Sequence, residues 1–162
     1  MMCFYDDLRV GDRIDLGSHL FTADDIKVFA RQFDPQSFHL DEAEGARSHF
    51  GGLVASGWHT ASIWMRKVVD HNKREAELLR QRGERIPEVG PSPGFRNLRW
   101  YKPVFAGDTV TYSYEVLEMR VSKSMPARGV VTVLGGGTNQ HGVQVFSLES
   151  IAFFERRHPT PA

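Results

Sequence analysis

What this sequence lacks bounds it before what it contains. A single cysteine, Cys3, stands among 162 residues. No disulfide can therefore close within the chain and no cysteine-based zinc cluster can assemble, and a reducing cytoplasm is the expected location. Net charge is missing as well: twenty basic and twenty acidic side chains give a formal charge of zero. That removes the long-range attraction through which nucleic acid or an anionic membrane would act as the main partner, so any anion site has to be local. No stretch approaches the roughly 20 apolar residues of a membrane span. The start, "MMCFYDDLRV", carries acids by residue 6, where a signal peptide would have a basic start and an apolar run. What is plentiful is aromatic apolar mass, with 41% hydrophobic residues, 11 phenylalanines and 3 tryptophans. The length suits one core of ordinary size and is short for two, so a single domain over residues 1–162 is expected.

Gly11 to Leu20 read as a turn and a short strand. Thr22 then reads as an N-cap, with Asp24 and Asp25 in a first turn where the helix dipole favours acids. Ile26, Phe29, Ala30 and Phe33 follow at i, i+3, i+4 and i+7, one apolar helix face, and Pro35 ends it because the residue before a proline is pushed out of the helical region. Asp41 to Ser48 predicts a further short helix. From Val54 to Val69 the positions Val54, Gly57, Trp58, Ala61, Trp64, Met65 and Val68 keep helical spacing, with Ile63 and Val69 widening the stripe; this predicts a helix buried on most sides. The charged segment at about 71–93 then reads as a solvated helical extension followed by a proline-rich loop.

The second half differs in kind. "FRNLRWYKPVF", "GDTVTYSYEVLEM", "RGVVTVLG" and "GVQVFSLESIAFFER" alternate or run with β-branched and aromatic residues, and Val110, Tyr112, Tyr114 and Val116 share one face. The breaks fall at Gly107–Asp108 and at "GGGTNQHG", where the triple glycine reads as a hairpin turn. Four strands joined by short turns make an antiparallel sheet, and the long apolar helix is the element with enough face to cover it.

The chemistry concentrates in "FDPQSFHLDE". Asp34 and His39 are five residues apart in a loop that the proline keeps out of a helix, so their side chains can converge. A carboxylate and an imidazole can hold one water between them, each tuned by apolar neighbours. A turn aspartate beside a core histidine bonded to a backbone carbonyl accounts for the same residues. "ASGWHT" adds a second hint: if Ser56 or Gly57 opens the long helix, its free N–H groups face whatever lies beside the turn and could steady a thioester enolate oxygen. A glycine kept small for packing accounts for that position equally well.

"FARQFDPQSFHLDE…FGGLVASGWHT", with "YKPVFAGDTV" later, resembles the MaoC-like dehydratases, which include the (R)-specific enoyl-CoA hydratases. The resemblance runs from about Tyr5 to Phe154. It implies an α+β hot-dog fold, an antiparallel sheet wrapped around a long central helix. It also implies an enoyl-CoA hydratase or 3-hydroxyacyl-CoA dehydratase that acts on an acyl-CoA thioester, needs no cofactor and forms a homodimer. In the family a D-x-N-P-x-H motif supplies an aspartate and a histidine that act on a water, and a helix-start glycine N–H binds the thioester oxygen. Those roles fall on Asp34, His39 and Gly57, with Phe38, Ser56, Trp58 and Lys102 expected around the substrate. This chain departs from the family at Gln36 and Ser37, in place of Asn-Pro, and at Ser56, in place of a histidine; both departures bear on substrate identity. The other readings are a hot-dog thioesterase, which would put a carboxylate on the long helix, and a non-catalytic acyl-binding module.

Among the remaining residues, His59 reads as a structural hydrogen-bonding histidine of the helix. His19, His49 and His141 lack partners at metal spacing, and no metal is predicted. Arg96, Arg99, Lys102, Arg120 and Lys123 are cations that could meet coenzyme A phosphates, Lys102 foremost because it lies in the family-like "YKPVF". Phe33, Phe38, Phe50 and Trp58 are expected to line the acyl pocket.

Overall fold

The architecture is that of a computed structural model, which describes residues 2–158. Five strands form one sheet: β1 (Arg13–Leu20), β2 (Gly94–Trp100), β3 (Thr109–Val121), β4 (Arg128–Asn139) and β5 (Gln144–Glu155). Their order is β1-β3-β4-β5-β2, and every neighbouring pair is antiparallel. The alternation of β3 is realised as read, with Val110, Tyr112, Tyr114 and Val116 all buried on the helix side. Among the described residues four α-helices precede β2: α1 (Ala23–Phe33), α2 (Ser37–Leu40), α3 (Glu42–Arg47) and the long α4 (Gly57–Gln81). This is the hot-dog arrangement, with α4 lying in the curve of the sheet. Among the described residues no helix is long and apolar enough to cross a membrane.

Local chemistry sets the helix boundaries. The Thr22 side chain accepts from the Asp25 N–H and caps α1, while the C-cap is Asp34, whose own N–H bonds to the Ala30 carbonyl. Asp41 caps α3 by accepting from Ala43 and Glu44. Ser56 caps α4, its hydroxyl accepting from the Trp58 N–H. Each such cap satisfies donors that no helical carbonyl can reach.

Four expectations are corrected. The long helix begins at Gly57 rather than Val54, because Val54 is bridged to Phe105 and the Ala55 N–H to the Val104 carbonyl, which holds this segment extended. That helix is not buried on most sides. His59, Thr60 and Trp64 are buried, whereas Trp58 and Met65 are about half exposed, at 52% and 46%, since one sheet covers one helix face. The segment after Pro35 is not all loop, as Ser37–Leu40 closes one helical turn that carries His39. Last, Gly135, Gly136 and Gly137 are strand residues of β4, paired with Leu148, Ser147 and Phe146, and the turn comes later, where Gly142 bonds back to Asn139.

The glycines clear room for the helix at one position and for the neighbouring strand at another. A Cβ on Gly135 would lie 2.4 Å from the Trp64 ring, and one on Gly137 would lie 2.9 Å from Val110. Trp64 is 2% exposed, and its Nε1–H donates to the Ser113 carbonyl at 3.1 Å. Burying an indole of roughly 200 Å² stabilises by a few kcal/mol, provided its N–H finds a partner. A second tie, from the Tyr112 hydroxyl to the Thr60 carbonyl at 3.1 Å, fixes the first turns of α4 against the sheet. The N-terminal end of the helix is thereby held beside the segment that carries Asp34 and His39.

Candidate active site

The end of α1, the one-turn α2 and the start of α4 meet at a cavity of about 480 Å³. Asp34, Phe38, His39, Ser56, Gly57, Trp58 and Lys102 all line it. Gln36, Phe50, Thr60, Trp100, Tyr101 and Pro103 complete much of the wall.

His39 is 5% exposed. Its Nδ1 lies 2.7 Å from the Val54 carbonyl oxygen, which can only accept, so Nδ1 carries a proton. In the neutral ring Nε2 is then the free acceptor nitrogen. Nε2 lies 3.4 Å from Asp34 Oδ2, a distance longer than a charge-assisted hydrogen bond of about 2.8 Å. One water sitting to the side of that gap can donate a hydrogen to each group. Asp34 Oδ1 is engaged separately, accepting from the Gln36 amide at 2.8 Å, which leaves Oδ2 for the cavity. Partial burial pushes the Asp34 carboxyl up, but hydrogen bonds from Ser56 and Gln36 and the charge of His39 outweigh it and hold the group below the ordinary aspartate value.

The first turn of α4 presents N–H groups that no helical carbonyl can reach. The Trp58 N–H goes to the Ser56 hydroxyl and the Thr60 N–H to the Ser56 carbonyl. Gly57 has no side chain to screen its own N–H, and a Cβ there would collide with the Trp100 ring at 2.5 Å. The two readings of the histidine and of the glycine are thus compatible. His39 is bonded to a backbone carbonyl and still faces Asp34, and Gly57 is small for packing while its turn borders the cavity.

Other sequence readings fare differently. Phe33 is 68% exposed and lies against a separate hollow with His19 and His59, so it does not line the cavity that Phe38, Phe50 and Trp58 share. His59 is buried, stacked on Phe29 with ring centroids 4.5 Å apart, and its Nδ1 has no partner among the described residues. Arg96 is engaged by Glu149 at 2.6 Å and Glu118 at 3.4 Å. Among the described residues no group of three or more His, Cys, Asp or Glu side chains is placed to hold a metal ion. Sequence reasoning passed over Trp100, and it weighed Gln36 as a departure from the family motif without seeing it as a partner of Asp34. The demand of Gly57 for a close neighbour and the position of Trp100 directly before "YKPVF" were the available signals.

Comparison with known proteins bears on the family and the fold. The family model described as a MaoC like domain matches residues 9–135. The chain belongs to the MaoC-like domain family. The MaoC-like dehydratase of Rhodospirillum rubrum is 38% identical, with 96% of this chain and 99% of that chain covered, and superimposes with a TM-score of 0.80. An (R)-hydratase from A. caviae involved in PHA biosynthesis is 27% identical over 90% of this chain and 96% of its own, with a TM-score of 0.62. An uncharacterised Bacillus subtilis protein, YdeM, is 28% identical over 151 residues, 93% of this MaoC-like chain and 98% of its own.

Proposed function

We propose that this protein hydrates the 2,3 double bond of an enoyl thioester and, in reverse, dehydrates the 3-hydroxyacyl thioester. The observation that carries the reading is the tautomer of His39: with Nδ1–H tied to the Val54 carbonyl, the accepting Nε2 and Asp34 Oδ2 converge 3.4 Å apart on one cavity. The likeness to the A. caviae (R)-hydratase supports it.

In the hydration direction His39 Nε2 takes one hydrogen of the water while Asp34 Oδ2 accepts the other and stabilises the imidazolium that forms. The water oxygen bonds to C3, and the π electrons move toward C2 and the thioester oxygen. The Gly57 N–H at the positive end of α4 receives that enolate charge. His39 then returns its proton to C2 on the face the water entered, which restores the neutral ring and completes a net addition of one water. The carboxylate has to be ionised for this, which fits its depressed value.

The thioesterase reading is disfavoured by the same helix. The first carboxylate of α4 is Asp70, which is held by Arg66 at 2.9 Å and does not line the cavity. Lys102, on the cavity wall, is the proposed contact for the thioester carrier. The homodimer belongs to this proposal too, with the exposed, paired rings of Trp58 and Trp100 offering it an apolar contact.

The test is hydration of crotonyl-CoA by the wild type and by Asp34→Asn. A general acid–base partner contributes on the order of 10²- to 10⁴-fold, so turnover is expected to drop by at least 10²-fold while the thermal midpoint and acyl-CoA binding persist. Unchanged turnover removes Asp34 from the mechanism. Wild-type binding with no turnover favours the non-catalytic module.

A further inference from the structure

Trp100 lies at the cavity beside Gly57, and it gets there through an irregularity in β2. Arg96 pairs with Glu149 and Arg99 with Ser147, three residues of β2 against two of β5, so β2 holds one extra residue. Asn97 within that step has φ 53°, a left-handed conformation that asparagine adopts more readily than most residues. Glu149 holds the bulge from both sides, accepting from Arg96 Nε at 2.6 Å and from the Asn97 amide at 2.7 Å. An extra residue inverts the alternation beyond it. Leu98 therefore packs on the main core cluster, and Trp100, two residues on, turns to the same side and meets the start of α4.

The contact is made by both the face and the polar edge of the indole. The ring occupies the space that a Gly57 side chain would need, and Nε1–H donates to the Gly57 carbonyl oxygen at 2.8 Å. That carbonyl belongs to the first residue of α4, one step after the Ser56 carbonyl that opens the hydrogen-bond ladder, so an external donor on it fixes the orientation of the first turn. The N–H on the other side of the same Cα is the one assigned to the enolate oxygen. Trp58 closes the arrangement, its ring edge-on to Trp100 with centroids 5.3 Å apart.

We infer that Trp100 is a positioning residue for the oxyanion donor, its indole N–H locking the Gly57 turn so that the Gly57 N–H is aimed before substrate arrives. The inference rests on the hydratase reading. Preorganisation matters because a donor worth 10²- to 10³-fold when well aimed loses part of that when it must reorient during the reaction. The enolate carries more oxygen charge than the bound substrate, so the loss falls on kcat rather than on KM.

The experiment compares the full-length wild type with Trp100→Phe and with a chain carrying benzothienylalanine at position 100. The latter is an indole isostere with sulfur in place of the N–H, and it decides the matter should Trp100→Phe fold poorly. For crotonyl-CoA hydration both are expected to lose about tenfold in kcat with KM within about twofold. The enolate fraction of bound acetoacetyl-CoA, read by its absorbance at fixed pH, is expected to fall in parallel. A raised KM with unchanged kcat would make Trp100 a mere wall, and unchanged kinetics would remove it altogether; either overturns the inference. A wild type that does not hydrate crotonyl-CoA sinks the hydratase reading alone. The enolate measurement then still decides, because a difference between wild type and isostere sustains the Trp100 link to Gly57, whereas equal fractions or no binding end it.

Discussion

Acid should weaken this protein through His59, and the effect can be sized. His59 sits in the first turn of α4 at 5% exposure, stacked on Phe29 and edge-on to Phe21 at 5.0 Å. Burial, with a smaller push from His19, lowers its pKa from 6.5 to about 4, and Asp25 opposes weakly from α1. His19, on β1, is itself lowered by burial and by Lys67. The folded state thus binds the His59 proton less readily than the unfolded chain does. The stabilisation from keeping His59 neutral is fully present above pH 6.5 and is lost as pH falls toward 4. With each pK unit worth about 1.4 kcal/mol, that window holds on the order of 3 kcal/mol, most of which is gone by pH 4.5.

His59→Phe keeps the aromatic stack and removes the titration, along with a buried Nδ1 that has no partner. Urea unfolding from pH 7.5 to 4.5 should show the variant equal to or slightly more stable than wild type at the upper end. The two should diverge in the variant's favour by about 2 kcal/mol at the lower end. Carboxylates titrating over the same range act on both proteins, so the difference isolates His59. Parallel curves across the whole range would refute the assignment of acid sensitivity to this ring.

Ser56→Ala should cost about 1 kcal/mol in urea unfolding by uncapping α4. It should also move the acid limb of the kcat profile to higher pH, because the Ser56 hydrogen bond is one of the groups holding the Asp34 carboxyl down; an unmoved limb would detach Ser56 from Asp34. Gly57→Ala should reduce crotonyl-CoA hydration by more than about tenfold, since its methyl group displaces the Trp100 ring, and tryptophan fluorescence reports that displacement. Gly135→Ala should destabilise by about 1–3 kcal/mol because the added carbon overlaps Trp64, and unfolding midpoints equal to wild type would mean that the ring finds room elsewhere.

How much of this was legible depends on where the information sits in the chain. The first helix could be read because its cap, acids, apolar face and terminating proline all lie within fifteen residues, and the structure keeps its bounds. Asp34 and His39 could be read as a convergent pair for the same reason. The triple glycine could not, because glycine speaks locally for a turn, and only the distant Trp64 ring explains why it lies in a strand. The α2 turn is four residues long, too short for any periodicity to register. The Trp100 contact spans 43 positions and depends on a bulge whose phase no alternation pattern shows in advance.

The two departures from the family motif, at Gln36 and at Ser56, looked unrelated in sequence, twenty positions apart. In space both act on one carboxylate. The Gln36 amide bonds to Asp34 Oδ1 at 2.8 Å, while Ser56, which also caps α4, is among the groups that hold the same carboxyl below its ordinary value. A hydroxyl and an amide donate more strongly to the ionised form than to the acid, so both favour the carboxylate, without the charge that a protonated histidine at position 56 would bring. The replacements therefore leave the acid–base spacing alone and adjust how firmly Asp34 is kept ionised. A double variant, Gln36→Asn with Ser56→His, tests that division of labour. It should retain turnover at neutral pH and alter its pH dependence, whereas loss of turnover at every pH would show that these residues build the site rather than tune it.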